Sequence, residues 1–209
     1  MGWVLTLCFD KNYSIIHGVH LCMKSSNRKL ALHAMNNKYP LFAEVLVPKS
    51  ATNTGNRISL QAYDRACLDK SWVWLSDPEI SALTMTPAFT REDQTTFFEQ
   101  LPLRANYHIW GVLLDGAELI GAAGLKNHRG TCAEYWGYIG EKQYWGKGLG
   151  LGLFEAVEQK ANQLGFSDLD LKVSVTNPRA ISLYKKVGFE INPHTSTESC
   201  LQMVKRGIR

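Results

Sequence analysis

The chain has 209 residues, of which 45% are hydrophobic, 20% charged and 11% aromatic. That composition builds one domain with a real core, and it excludes collagen-like, low-complexity and wholly disordered proteins. The formal net charge of +4 resides in residues 1–56, which hold six basic and two acidic residues; the other 153 carry 17 of each. Nothing in that larger, balanced part reads as a nucleic-acid surface.

No window offers eighteen consecutive apolar residues, so no membrane-spanning helix is expected. The five cysteines, at 8, 22, 67, 132 and 200, are odd in number, irregular in spacing and without a C-x-x-C. They fit a reducing, cytoplasmic setting better than a disulfide framework. Residues 2–9 are apolar, but no basic group precedes them and Asp10 and Lys11 follow at once, which is not the pattern of a signal peptide.

Residues 1–56 show no sustained period, and residues 48–56 read as a linker. The segment is expected to be an accessory, poorly anchored extension outside the working domain of residues 57–209. A start codon placed upstream of a true start near residue 57 gives the same picture. His17, His20 and Cys22 lie within the segment at a spacing too weak to define a metal site.

From Arg57 the pattern becomes regular. Residues 58–62 alternate as a first strand, and Asp64 is placed to cap a helix over 66–75. A second short helix follows Pro78. Thr90-Arg-Glu-Asp93 has the form of a capping box and opens a third helix of about twelve residues. Residues 107–114 and 118–125 alternate around Asp115-Gly116, a hairpin signal. His128-Arg-Gly130 reads as a second turn and residues 132–139 as a third antiparallel strand. Apolar residues at 149, 153, 154, 157, 161 and 164 have a helical period. Residues 169–175 read as a strand, and Pro178 begins a helix that stops at Gly188. Two closing strands follow, at 189–191 and 200–204. A meander followed by one βα crossover makes an α/β (α+β) protein with a mixed sheet covered by helices.

The stretch from Tyr138 to Gly152 joins a strand to a helix and carries glycines at 146, 148, 150 and 152. Each costs about 1 kcal/mol against alanine inside a helix, so four in alternation need a reason. Close approach of an anion to free N–H groups at a helix N-terminus is one reason, with Lys147 as a nearby positive charge. A tight turn is the other. The G-x-x-x-x-G-K-[ST] loop fails at Glu141 and Gly148, and G-x-G-x-x-G fails at Leu151, so neither ATP nor a dinucleotide is favoured. Further on, Asn177 caps a helix on which Tyr184 lies two turns along the same face.

Together the two stretches resemble the GNAT superfamily of acetyl-CoA-dependent N-acetyltransferases. The family loop, Arg/Gln-x-x-Gly-x-Gly/Ala, is matched from Trp145 to Gly150 except for tryptophan in first place. The second signature, Asn-x-x-Ala-x-x-Leu-Tyr-x-x-x-Gly-Phe, is matched at Asn177, Ala180, Leu183, Tyr184, Gly188 and Phe189. Residues 74–80 resemble the first-helix region of the branch that contains ribosomal-protein alanine and amino-sugar acetyltransferases. The resemblance covers about residues 57–205.

It implies a mostly antiparallel central sheet with one splayed strand pair, flanked by helices, and acetyl-CoA as co-substrate without a metal. The pantetheine arm is expected along the backbone of Tyr138, Ile139 and Gly140, where an N–H also polarises the thioester carbonyl. The pyrophosphate is expected on the N–H groups of Trp145, Gly146, Lys147, Gly148, Leu149 and Gly150. The Trp145 indole is expected along the pantetheine or packed into the sheet, and Asn177 is expected to contact the pantetheine region. Tyr184 resembles the family's general acid. Some members place a glutamate twelve residues before that tyrosine, where this chain has Lys172. Glu134 is then the nearest candidate base, acting directly or through water, although an exposed strand glutamate is the plainer alternative.

The aromatic-rich residues 132–138 resemble most the amino-sugar branch, so the expected acceptor is an amino sugar or nucleotide-linked amino sugar. A protein N-terminal α-amine is the runner-up, and a non-catalytic acyl-CoA-binding module is the reading from another class. The resemblance allows a homodimer through the final strands. His108 and His128 read as strand or turn residues. Trp72, Trp74, Trp110 and Trp136 read as core, with one or two lining the acceptor cleft.

Overall fold

A computed structural model of the chain describes residues 57–208. The expectations for residues 1–56, including the accessory extension and the His17, His20 and Cys22 spacing, lie outside the described residues.

The first strand, β1 (Ile58–Ala62), leads into three helices, α1 (Arg65–Leu75), α2 (Pro78–Thr84) and α3 (Arg91–Gln100). Each starts on a side chain that accepts from otherwise orphaned N–H groups. Asp64 accepts from Cys67 N, Asp77 from Glu79 N and Ile80 N, and Thr90 and Asp93 form the reciprocal capping box.

A meander follows: β2 (Tyr107–Leu114), β3 (Glu118–Arg129) and β4 (Cys132–Ile139). Asp115 and Gly116 both take positive φ, 52° and 70°, the conformation that lets a two-residue hairpin match the strand twist. The turn predicted at 128–130 lies slightly later, at Gly130–Thr131, with Gly130 at φ 58°. β3 runs on to Arg129 across a register shift between Lys126 and Arg129, with Asn127 at φ 50°. A bulge thus absorbs the polar residues that read as a turn, and the chain reverses only after Arg129. Then come α4 (Leu149–Gln163), β5 (Asp168–Ser174), α5 (Pro178–Lys186), β6 (Glu190–Ile191) and β7 (Cys200–Arg206).

The seven strands lie in the order β1-β2-β3-β4-β5-β7-β6. Both faces of the central strands are covered, so β4 is buried almost throughout. Its side chains alternate. Tyr135 and Ile139 join Leu153, Phe154, Leu171, Val173 and Tyr184 in the core under α4 and α5. Trp136 and Tyr138 join Trp74, Ile80 and Ile109 in the core under α1 to α3.

The pairing of β4 with β5 is the one parallel pairing in this sheet, and it lasts three rungs: Cys132 with Asp168, Ala133 with Leu169, Glu134 with Asp170. All seven residues of β5 stay paired with β7 on the other edge. Past Glu134 and Asp170 the two strands part, which leaves a gap through the sheet beside residues 135–139.

Candidate active site

Backbone alternation decides what faces the gap. Gly140 N–H donates to Ile120 O at 2.8 Å, so Gly140 and, by period two, Tyr138 turn their backbone groups toward β3. Ile139 between them turns its own toward the gap. Of the three residues expected along the pantetheine, Ile139 therefore turns its backbone groups to the gap, while Tyr138 and Gly140 turn theirs to β3. The Ile139 carbonyl is already engaged, accepting from Trp145 Nε1 at 2.7 Å. Gly140 has a separate reason to be glycine: a Cβ there would lie 2.1 Å from the Trp74 ring.

The loop between β4 and α4 begins with a 3-10 turn, Lys142–Tyr144, and the Trp145 N–H donates to Lys142 O at 3.0 Å. Of the run expected to hold the pyrophosphate, Trp145 thus has its N–H already engaged within the turn. Gly146 and Gly148 have φ of 79° and 78°, with open space where a Cβ would stand. These glycines provide left-handed backbone on an unobstructed surface. Gly148 caps α4 without any side-chain hydrogen bond. The first N–H groups of a helix have no partner within it, so the run from Gly146 to Gly150 presents donors at the positive end of a fifteen-residue helix. Lys147 Nζ lies 5.0 Å from the Tyr144 ring centroid, beside that run.

On the α4/α5 face, Asn177 is buried and caps α5, its Oδ1 accepting from Ala180 N at 3.2 Å. Tyr184 follows two turns later and is 1% exposed. It meets Tyr135 and Phe189 edge-on, with ring centroids 6.1 and 5.6 Å apart. Burial, with a smaller contribution from Tyr135, pushes the Tyr184 phenol well above its ordinary range. It is held as O–H, the form a proton donor needs.

The opposite face holds a cavity of about 740 Å³. The rings of Tyr63, Phe89, Phe97, Tyr107, Trp136 and Tyr138 line it, together with Lys126 and Asn127. Its size and apolar walls are those of a small-molecule site. Asp93 is the one carboxylate among the lining residues, and it is engaged by the Thr90 backbone and hydroxyl. Glu134 lies behind Lys126 and Asn127 at 4% exposure, so it is not an exposed strand glutamate. Its Oε1 stands 3.3 Å from Lys126 Nζ and its Oε2 accepts from Asn127 Nδ2 at 3.0 Å. Lys172, on β5, shares this face with Asp170.

Trp136 is the predicted tryptophan that lines the cavity; Trp74 packs against Tyr138, and Trp72 meets Phe89 edge-on at 5.5 Å. Trp110 and His108 stack on the other face of β2, and His108 in turn stacks on His128, 5.0 Å between centroids. Neither histidine lines the cavity, and burial lowers the His128 pKa. Among the described residues no three His, Cys, Asp or Glu side chains converge on a metal position, and no helix is long and apolar enough to cross a membrane.

Sequence reasoning missed Asp170, the partner of Glu134 on the last shared rung. The strict alternation of Asp168-Leu-Asp-Leu-Lys-Val173 was its signal, since it places Asp168, Asp170 and Lys172 on one face.

Comparison with known proteins agrees with this fold. Residues 69–189 match the profile of the Acetyltransferase (GNAT) family. No curated protein is significantly similar in sequence. A spermidine N-acetyltransferase from Vibrio cholerae, solved with CoA and spermine, superposes with a TM-score of 0.66 at 20% identity, over 72% of this chain and 95% of that one. A domain from Methanocaldococcus jannaschii gives 0.65 at 19% identity, over 72% and 99%. AAC(6')-Ib, solved with paromomycin and acetyl-CoA, gives 0.62 at 21% identity, over 71% and 93%. At these identities the likeness is one of fold.

Proposed function

The chain belongs to the acetyltransferase (GNAT) family, and on that premise we propose that it moves an acetyl group from acetyl-CoA to the primary amine of an amino sugar or nucleotide-linked amino sugar, as a member of the branch noted above. One observation carries the reading. β4 and β5 part after Glu134 and Asp170, α4 follows β4 with no side-chain cap at its start, Tyr184 packs on Tyr135 on one face of β4, and the aromatic cavity takes Trp136 and Tyr138 from the other face.

The residues present fit the co-substrate, because left-handed glycines and an uncapped helix end leave donors free on an open surface. When bound, acetyl-CoA supplies an activated thioester. The N–H groups of Gly146 to Gly150, with Lys147, hold the pyrophosphate; Ile139 and Asn177 border the pantetheine, and the Ile139 N–H is the donor aimed at the gap. The cavity holds the acceptor so that its amine meets the gap near Glu134. Tyr184 delivers the proton that the leaving thiolate needs, and a carboxylate where the strands part takes the proton that the amine must lose before attack.

Ring faces suit the apolar face of a sugar or a nucleobase. The single lining carboxylate is tied into a helix cap, so the cavity is poorly built for a polycation and better built for an acceptor with one amine. The three described free cysteines fit a reducing, cytoplasmic setting. Residues 57–209 are the working domain in this reading, and deletion of residues 1–56 leaves melting temperature and turnover unchanged.

The test is free-thiol release from acetyl-CoA across amino sugars, nucleotide-linked amino sugars and short peptides with free N-termini. Release with the sugars supports the reading. Release with peptides alone transfers it to a protein α-amine, and CoA binding without any release makes the protein an acyl-CoA-binding module.

A further inference from the structure

Two buried carboxylates stand side by side where β4 and β5 part. Glu134 and Asp170 form the last rung, and each is 4% exposed. Leu169 and Leu171 point into the α4/α5 core, so Asp170 between them projects to the cavity's face, beside Glu134.

Their hydrogen bonding differs. Glu134 spends both oxygens, one on Lys126 and one on Asn127. Asp170 collects its donors on Oδ2, which accepts from Arg129 Nη2 and, at 3.1 Å, from Gln202 Nε2. Its Oδ1 is buried and accepts nothing among the described residues. Leaving a buried acceptor without a donor is costly, and each such group calls for an explanation. Here the unpartnered oxygen belongs to a residue of the last rung before the strands part, while the neighbouring carboxylate is already neutralised by a lysine.

Resting on the acetyl-transfer reading above, we propose that Asp170 Oδ1 takes the proton of the incoming amine, directly or through one water, and that Glu134 with Lys126 is a positioning pair beside it. The bound ammonium gives one proton to Asp170 and becomes the nucleophile. Its nitrogen forms the new C–N bond as the C–S bond breaks. Tyr184 gives its phenol proton to the departing sulfur and recovers one from the acylated nitrogen, and Asp170 returns its proton to solvent.

The experiment measures thiol release from pH 6 to 9 for the full-length wild type, Asp170→Asn and Glu134→Gln, with the acetyl-CoA Kd of each by calorimetry. Asp170→Asn is expected to lose about 10²–10⁴-fold in kcat/KM at pH 6.5. Its Kd stays within about twofold, and the deficit shrinks as pH passes the amine's pKa, because the acceptor then arrives already neutral. Glu134→Gln raises KM but keeps the shape of the wild-type pH profile. A pH-independent loss in Asp170→Asn, or loss of the acidic limb in Glu134→Gln instead, overturns the proposal.

Should Asp170→Asn fail to fold, Arg129→Gln asks the same question. The groups bearing on Asp170 are Arg129 from β3, Cys132 and Glu134 from β4, Lys172 from β5 and Gln202 from β7. Arg129 holds the carboxyl down against burial, so removing it moves the acidic limb of kcat/KM to higher pH. An unmoved limb overturns the proposal. A wild-type protein that binds acetyl-CoA and releases no thiol with any amine sinks the acetyl-transfer reading itself, and the proposal with it.

Discussion

The indole of Trp145 donates its Nε1–H to the carbonyl of Ile139 at 2.7 Å. The bond ties the first residue of the glycine loop to the last residue of β4, across the mouth of the gap. It gives the tryptophan a physical role where the family loop has arginine or glutamine: the ring packs between the two cores, and its polar atom fixes where the loop begins. Trp145→Phe keeps the packing and loses the bond. It is expected to cost about 1 kcal/mol in stability, read by urea denaturation, and to raise the acetyl-CoA Kd, read by calorimetry. An unchanged Kd means that the loop holds its shape without the indole.

Gly148 stands at φ 78° with nothing near a substituted Cβ. Strain in Gly148→Ala is therefore backbone strain alone, about 1–2 kcal/mol for a left-handed alanine. Relief of that strain turns the N–H groups at the start of α4 away from a common focus. The acetyl-CoA Kd is expected to rise by about tenfold, with melting temperature lowered by only a few degrees. A variant that binds acetyl-CoA normally places the pyrophosphate elsewhere.

Tyr184→Phe removes one oxygen from a buried ring whose edge contacts to Tyr135 and Phe189 survive. Folding and acetyl-CoA affinity are expected to hold while kcat falls by about 10²-fold or more. Burial raises the phenol's pKa, and the donor form of an acid is fully present below its pKa. The wild-type kcat should show no decline from phenol ionisation up to about pH 10, the ordinary tyrosine value. A tyrosine-dependent fall centred below that pH contradicts the donor role.

Lys126 and Glu134 form an ion pair with side chains only 6% and 5% exposed. Lys126→Met leaves a buried carboxylate still hydrogen-bonded by Asn127 but without its countercharge, and breaking one side of such a pair costs about 3–5 kcal/mol. Adding Glu134→Gln removes the uncompensated charge and should recover most of that loss. Urea denaturation of the two single variants and the double variant gives the coupling energy. Additive losses mean that the pair contributes no coupling.

Local chemistry made most elements readable. Asp64, Asp77 and Thr90 cap their helices through side chains that act within three residues, and Asp115-Gly116 turns a hairpin by its own backbone preference. The bulge at Asn127 was not readable, because a polar run that breaks a strand and one that deforms it have the same composition. The loop and the Asn177 to Phe189 signature pointed to the cofactor side of the site for the same local reason, since glycine φ and a helix cap are properties of a few adjacent residues.

The acceptor side belonged to the tertiary structure. Glu134 is an ordinary strand glutamate until Lys126, from the neighbouring strand, and Asn127 close around it. Asp170 becomes notable only because β4 and β5 separate after the rung that it shares with Glu134. The cavity draws its rings from the loops before α1 and α3 (Tyr63, Phe89), from α3 (Phe97), from β2 (Tyr107) and from β4 (Trp136, Tyr138), segments spread widely along the chain. By itself, the sequence determined the elements, the two signatures and the family they resemble, since those rest on spacing along one chain. Which backbone groups face the gap, which carboxylate keeps a free oxygen and what shape of acceptor fits were decided by pairing and packing between distant segments, and no local periodicity encodes those.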